Sequence, residues 1–145
     1  IHSLENIKEI ILKEVDQYRA LFEGNNEGFL THWPKKTILK GWLVEYRDGG
    51  SVRPHIHDYG WLSGSIYINV PKTEKKNEGS LFVSMREQDY EADSTAHQET
   101  ILNVATGDIC LFPASLYHCS TPFASEESRV VLAFDIVPIE EKIEV

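Results

Sequence analysis

Residues 37–46, TILKGWLVEY, mark the point at which the sequence changes from helical to strand periodicity. Apolar side chains in this stretch are separated by even intervals, at Ile38, Trp42, Val44 and Tyr46. An extended chain would place all of them on one face, because successive side chains of a strand point to opposite sides. Asp48-Gly49-Gly50 then predicts a turn. The stretch therefore predicts the first strand of a β-rich region.

Upstream of this strand the apolar residues follow a helical pattern. They recur at intervals of three and four, at Leu4, Ile7, Ile11, Val15, Tyr18 and Phe22. This spacing lays an apolar stripe along one face of a helix over about residues 3–23. We expect that face to pack against the outside of a β-sheet.

Downstream, several short segments have strand-like composition: 61–70, 79–85, 100–104, 108–112 and 128–137. The acidic segment Glu87–Glu99 between two of them is predicted to be a long loop, which could cover a site. Numerous short strands with no helix between them indicate an antiparallel sandwich or barrel. The sequence thus predicts a mainly β protein with its core over about residues 37–137.

Composition excludes several classes of function. A length of 145 residues, 41% of them hydrophobic and 26% charged, fits a single soluble domain over residues 1–145. The net charge of −9 disfavours a nucleic-acid backbone as partner, because such binding needs a basic surface. The apolar runs are too short to span a membrane. Two cysteines form no disulfide framework, which predicts reduced thiols and a cytoplasmic location.

Three histidines have a spacing that predicts a metal site. His55 and His57, in PHIHD (54–58), would leave the same face of an extended chain. His118 follows about 60 residues later, after a turn that contains Pro113. A close pair and a distant third ligand can meet at the opening of a β-barrel, and imidazole suits iron, zinc, copper or nickel. The alternative places the pair in a polar loop and His118 in the core.

Arg129 opens an otherwise apolar strand, RVVLAF (129–134), that should lie inside the fold. A buried guanidinium needs an anionic partner, because arginine does not lose its proton in proteins. One interpretation is a surface ion pair with Glu126 or Glu127. The other is a bidentate contact with the carboxylate of a ligand. No acidic residue in the neighbouring predicted strands is an obvious partner, which favours the ligand.

Together these segments resemble the Fe(II)/2-oxoglutarate oxygenases related to prolyl hydroxylases. The similarity extends over roughly residues 38–137, and its motifs are HIH (55–57), LSGSIY (62–67), residues 107–113, His118 and RVVLAF (129–134). It implies a double-stranded β-helix, which is a jelly-roll or cupin-like barrel. It also implies Fe(II) as cofactor, 2-oxoglutarate as co-substrate and hydroxylation of a small-molecule or peptidyl substrate, with decarboxylation of 2-oxoglutarate to succinate.

The resemblance also assigns roles to single residues. It implies that His55 and His118 bind the iron and that Arg129 binds the far carboxylate of 2-oxoglutarate. Tyr67, in Tyr67-Ile68-Asn69, is similar to a tyrosine that helps to hold the co-substrate in prolyl hydroxylases. The alternative for Tyr67 is an ordinary aromatic residue of a strand.

His57 departs from the usual pattern, because most of the superfamily has Asp or Glu at this position. A site made of His55, His57 and His118 would carry one less negative charge than a site of two histidines and a carboxylate. Asp58 is a second candidate for the missing ligand, although it should point away if the segment is extended. We predict that the nitrogens of the three histidines converge on one point.

Two other functional classes fit the same residues. The spacing from Gly49 to His55 matches the start of a first cupin motif, and that from Gly107 to His118 matches most of a second. The cupin glutamate that follows the second histidine is missing, and cupins need no arginine equivalent to Arg129. One alternative is therefore a cupin-type metal protein or a three-histidine dioxygenase that does not use 2-oxoglutarate. The other is a non-catalytic β-helix binding module.

Overall fold

The computed structural model describes residues 2–87 and 99–139. These residues form two helices, α1 (His2–Leu21) and α2 (Gly28–Thr31). They also form the strands β1 (Thr37–Tyr46), β2 (Leu62–Asn69), β3 (Leu81–Ser84), β4 (Glu99–Leu102), β5 (Ile109–Pro113), β6 (Tyr117–Ser120) and β7 (Arg129–Pro138). Within the described ranges, neither helix has both the length and the apolar character needed to cross a membrane.

The strands form two antiparallel sheets. The larger sheet has the order β1-β7-β2-β5 and the smaller has the order β4-β3-β6. Strands of both sheets contribute side chains to one shared cavity, so the sheets enclose it from opposite sides. The fold is a mainly β double-stranded β-helix, as the sequence predicted.

Helix α1 covers the outer face of the larger sheet. Its buried residues Ile11 and Val15 pack against Leu62 of β2 and against Phe134 and Ile136 of β7. The helical spacing of three and four residues is what brings the helix residues onto one face. The outside position predicted for the N-terminal helix is therefore confirmed.

The alternation of side chains decides which residues enter the cavity. In β7, Phe134 faces the helix, whereas Arg129, Val131 and Ala133 line the cavity. In β2 the serine and tyrosine positions point inward in the same way, with Tyr67 in the cavity wall. Each of these strands thus contributes one face to the hydrophobic core and the other face to the wall of the cavity.

Two short elements among the described residues, α2 and β6, were not predicted from the sequence. His118 follows the turn that contains Pro113, as predicted, but lies within strand β6, which pairs with β3. The segment between α1 and β1 contains the short helix α2, which the sequence pattern did not predict. Strand β6 was missed because four residues give no readable alternation, and it forms through pairing with β3. Most of the predicted loop Glu87–Glu99 lies outside the described residues.

Replacing Ile11 by alanine is expected to lower the free energy of unfolding by about 2–5 kcal/mol, because it removes buried methyl groups and leaves a cavity. Ile11 is 2% exposed, whereas its neighbour Ile10 is 50% exposed. Ile10→Ala is therefore a matched control that should change stability by much less. Urea unfolding measures both variants. Equal midpoints for the two would show that α1 does not pack as described.

Candidate metal centre and adjoining pocket

Backbone hydrogen bonds bring the three histidines together. The N–H of His55 donates to the carbonyl oxygen of His118 at 3.1 Å, and the N–H of His118 donates to that of His55 at 3.0 Å. The N–H of His57 donates to the carbonyl oxygen of Ala114 at 3.0 Å. The segment before β2 is therefore tied to β6 and to the turn that precedes it. These backbone hydrogen bonds fix the positions of the Cα atoms from which the three imidazole side chains extend.

The three side chains converge. Their ligand nitrogens lie within 4.8 Å of one another, and Nε2 of His55 is 3.3 Å from Nε2 of His57. Each Nδ1 faces an oxygen that can only accept a hydrogen bond. These acceptors are Arg53 O for His55 at 2.9 Å, Leu116 O for His118 at 3.0 Å and Asp135 Oδ1 for His57 at 2.7 Å. The protons therefore lie on Nδ1, which leaves the Nε2 lone pairs facing a common point.

This donor set fits a transition-metal ion. Lone pairs that face one another repel unless a cation lies between them, and imidazole suits iron, zinc, copper and nickel. A hydrogen bond from the other ring nitrogen is the usual way in which a ligating histidine is oriented. Asp58 is exposed and does not belong to the group of converging ligands. The geometry thus places His57, and not Asp58, beside His55 and His118.

Aromatic rings lie beside the histidines, and His118 is buried. The ring of Phe112 lies 4.7 Å from that of His118, and the ring of Trp42 lies 5.4 Å from that of His57. Burial lowers the pKa of His118 to about 4, because desolvation penalises the charged imidazolium and the neighbouring histidines add to this effect. A neutral imidazole at physiological pH keeps its lone pair available for a metal ion.

The metal-free protein is expected to lose stability on acidification through His118. Its pKa of about 4 in the folded state lies below the ordinary 6.5, so between these values the unfolded chain binds more protons. The free energy of unfolding should fall by about 2 kcal/mol between pH 7 and pH 5 from this group. Urea unfolding of parent and His118→Gln measures it. The variant should lose less stability, and equal losses would contradict the assignment.

The histidines open into a cavity of about 180 Å³ between the two sheets. Arg129 and Tyr67 line the same cavity. Sites for drug-sized ligands usually measure roughly 300–1,000 Å³, so this cavity suits a smaller molecule. The structure therefore brings together all five residues that the sequence singled out.

Arg129 is buried, and no acidic residue within 2–87 or 99–139 pairs with it. It is 1% exposed, and its Nε donates to the carbonyl oxygen of Gly79 at 3.0 Å. The guanidinium carbon lies 5.2 Å from the ring centre of Tyr46 and 5.2 Å from that of Tyr67. Among the described residues no carboxylate forms an ion pair with it, so the surface pair with Glu126 or Glu127 is not observed there. A cation in this environment suits an anionic ligand.

Tyr67 stands beside this cation as a neutral hydroxyl. Burial raises the pKa of Tyr67, with a further contribution from Cys110, and Arg129 opposes the rise only in part. The hydroxyl therefore stays protonated and can donate a hydrogen bond. Tyr67 thus gives the cavity a polar group next to the guanidinium.

Comparison with known families gives a match over the region that carries these residues. The model of a family described as "Putative 2OG-Fe(II) oxygenase" matches residues 40–135. The chain belongs to this family. The match spans β1 to β7, including the three histidines, Tyr67 and Arg129. A search among curated proteins finds no match.

Solved structures similar to this 2OG-Fe(II) oxygenase family member have the same fold. A prolyl-4-hydroxylase from Pseudomonas putida is 17% identical, with a TM-score of 0.50, over 70% of this chain and 52% of its own. HygX from Streptomyces hygroscopicus with iron bound is 13% identical, with a TM-score of 0.50, over 69% of this chain and 58% of its own. HygX with nickel and 2-oxoglutarate is 15% identical, with the same score and coverage. The chain thus spans little more than half the length of these proteins.

Two residues beside the metal centre of this family member were missed from the sequence. Asp135 accepts a hydrogen bond from His57, and Ser63 Oγ donates to the same carboxylate oxygen at 2.6 Å. A signal for both was present, because Asp135 follows Arg129 at an even interval on β7 and Ser63 precedes Tyr67 at an even interval on β2. That alternation places both on the cavity face of their strands.

Proposed function

We propose that the protein is an Fe(II)- and 2-oxoglutarate-dependent oxygenase that hydroxylates a C–H bond of a small-molecule or peptidyl substrate. In such a reaction one atom of O₂ enters the hydroxyl group. The other enters succinate, as 2-oxoglutarate loses CO₂. The observation that carries the proposal is Arg129, a buried cation that has no acidic partner among the described residues and lines the same cavity as three converging imidazoles.

In this proposal His55, His57 and His118 hold Fe(II) through their Nε2 atoms. The bound iron would supply the redox chemistry that couples oxidation of 2-oxoglutarate to hydroxylation. The protein contributes the position and the tautomer of each imidazole, which its Nδ1 hydrogen bonds fix. HygX has been solved with iron and with nickel and 2-oxoglutarate, which supports this pair of ligands in the shared fold.

The far carboxylate of 2-oxoglutarate would be bound by Arg129. A bidentate contact between guanidinium and carboxylate provides both charge compensation and orientation. The hydroxyl group of Tyr67 would donate a hydrogen bond to the same carboxylate. A cavity of about 180 Å³ excludes large ligands, which is consistent with a small dicarboxylate as occupant. Trp42 is 41% exposed, and its ring centre lies 5.4 Å from that of His57, so its side chain would lie close to the bound metal.

An anaerobic titration tests the proposal. Purified protein is loaded with Fe(II) without oxygen, and 2-oxoglutarate is added while the metal-to-ligand absorption band is followed. We expect a saturable band and, after oxygen is admitted, formation of succinate from 2-oxoglutarate. Succinate as ligand, which has no 2-oxo group to chelate the metal, is the matched control and should give no band. A protein that binds Fe(II) but gives no band would contradict the co-substrate role.

The all-histidine donor set favours a second candidate, a three-histidine dioxygenase that does not use 2-oxoglutarate. The observation behind it is His57, which faces the common point where a carboxylate would be expected. In that case Arg129 would bind a carboxylate of the substrate itself. Retained Fe(II) binding, no response to 2-oxoglutarate and oxygen consumption with a carboxylate-bearing substrate would identify this class.

A further inference from the structure

We infer that Asp135 is a positioning residue that holds His57 as a metal ligand and supplies, one shell away, the negative charge that the three histidines lack. The inference deepens the proposed function, because it concerns the same metal centre. It does not depend on 2-oxoglutarate, since it concerns only how the protein holds the ion.

The contacts of Asp135 are short and buried. Its Oδ1 accepts the Nδ1 proton of His57 at 2.7 Å and the hydroxyl proton of Ser63 at 2.6 Å. Asp135 is 8% exposed and Ser63 is 0% exposed. Ser63 Oγ also lies 3.1 Å from Nδ1 of His57, so the three groups form a closed triangle. A buried carboxylate with two donors has little freedom to move away from the imidazole.

His57 differs from the other two histidines in the charge of its acceptor. Nδ1 of His55 and of His118 each donates to a backbone carbonyl, which is a neutral dipole. Only His57, among the three, donates to a carboxylate. A carboxylate that accepts this proton raises the basicity of the opposite nitrogen and fixes its tautomer.

The charge of Asp135 lies beside His57, the residue that departs from the usual pattern of the superfamily. His57 occupies the position where the resemblance predicts a carboxylate ligand, so three neutral ligands would leave the dication less compensated. A buried charge is costly unless an opposite charge lies near it. Asp135 provides that charge through the imidazole of His57, at a distance set by the ring. Compared with a carboxylate that binds the metal itself, the carboxylate of Asp135 lies one residue contact further from the ion but is still present.

Replacing Asp135 by asparagine removes the negative charge and can change the tautomer of His57, while the size of the side chain stays nearly the same. The amide has nearly the same size, but its NH₂ group can donate to Nδ1 of His57. That would move the imidazole proton to Nε2, the atom that must bind the metal. We expect Asp135→Asn to weaken metal binding by about 10–100-fold, the usual effect of changing such a partner.

The test is an anaerobic titration of the metal-free protein with Fe(II), and separately with Co(II), whose absorption bands report the ligands directly. Parent, Asp135→Asn and Asp108→Asn are compared, with circular dichroism as the check of folding. Asp108 is a matched control, because its carboxylate also accepts a hydrogen bond, from the N–H of Ala105 at 2.7 Å, but does not contact the histidines. Weaker binding in Asp135→Asn alone supports the inference. Equal affinity in all three proteins overturns it.

A second measurement needs no substitution of Asp135. Long-range ¹H–¹⁵N NMR of the metal-free parent at pH 8 assigns the tautomer of each histidine. A proton on Nδ1 of His57 supports the inference, and a proton on Nε2 overturns it. Ser63→Ala, which removes one donor to Asp135, should weaken Co(II) binding in the same direction and by less. A parent that binds metal but not 2-oxoglutarate would refute the proposed co-substrate and leave this inference standing.

Discussion

Replacing Arg129 by leucine is expected to weaken 2-oxoglutarate binding strongly while the fold and the three converging histidines remain. The guanidinium is 1% exposed and has no acidic partner among the described residues, so its charge would be met by the ligand. Loss of a charge-assisted bidentate contact that leaves a carboxylate stranded costs about 2–5 kcal/mol. This corresponds to an affinity lower by about 30-fold to several thousand-fold. Leucine preserves apolar contacts in β7, because Val131 and Ala133 share its face.

The measurement is the titration of 2-oxoglutarate into the anaerobic Fe(II) protein, with the affinity for Fe(II) determined separately. Arg53→Leu is the control, because Arg53 is exposed and is involved at the site only through its backbone carbonyl. It should leave the affinity for 2-oxoglutarate unchanged. Equal affinity in Arg129→Leu and the parent would remove the co-substrate role from Arg129.

Removing one imidazole of the metal centre should have a comparable effect on the metal. His55→Ala and His57→Ala each delete one of three converging nitrogens, and the remaining pair cannot complete the site. Changing a partner outside the ligand set costs about 10–100-fold in affinity, so loss of a ligand itself should exceed about 100-fold. In the proposed function the affinity for 2-oxoglutarate should fall with that for the metal, because the ion would hold its reacting end.

Two controls define the ligand set by Fe(II) or Co(II) titration. His32→Ala removes an exposed histidine whose Nδ1 contacts only its own helix and the neighbouring Thr31, so it should leave metal affinity unchanged. Asp58→Asn should also leave it unchanged. A loss in Asp58→Asn as large as that in His57→Ala would replace the three-histidine set by one that contains a carboxylate.

The sequence was sufficient where one element contains several repeats of its own pattern. Helix α1 and strand β7 are long enough for periods of 3.6 and of two to be distinguished, so their buried faces could be predicted. Strand β1 was also predicted, but Ile38 and Trp42 on its apolar face are 43% and 41% exposed. Strand β6 contains only four residues, YHCS, and its conformation depends on β3, a partner more than 30 residues away in the chain. Such non-local pairing leaves no local pattern.

The convergence of the three histidines was predictable for a related reason. The interval of two between His55 and His57, and the inward alternation of Arg129 on β7, are local patterns that survive folding. The contact between His57 and Asp135 is different, because it joins residues 78 positions apart. Alternation could place Asp135 on the inner face of β7, but the register of β2 and β7 decides that Ser63 lies opposite it. Without knowledge of this register, the sequence could not show which histidine Asp135 contacts.

The backbone bridge between His55 and His118 makes the proposed metal a removable cross-link. In the unfolded chain these residues are separated by about 60 positions, whereas in the fold one ion would join the segment before β2 to β6. An ion that binds only the folded chain adds stability in proportion to the logarithm of its free concentration. The metal supply of its surroundings, and not the packing of its core alone, would then set the free energy of unfolding of this protein.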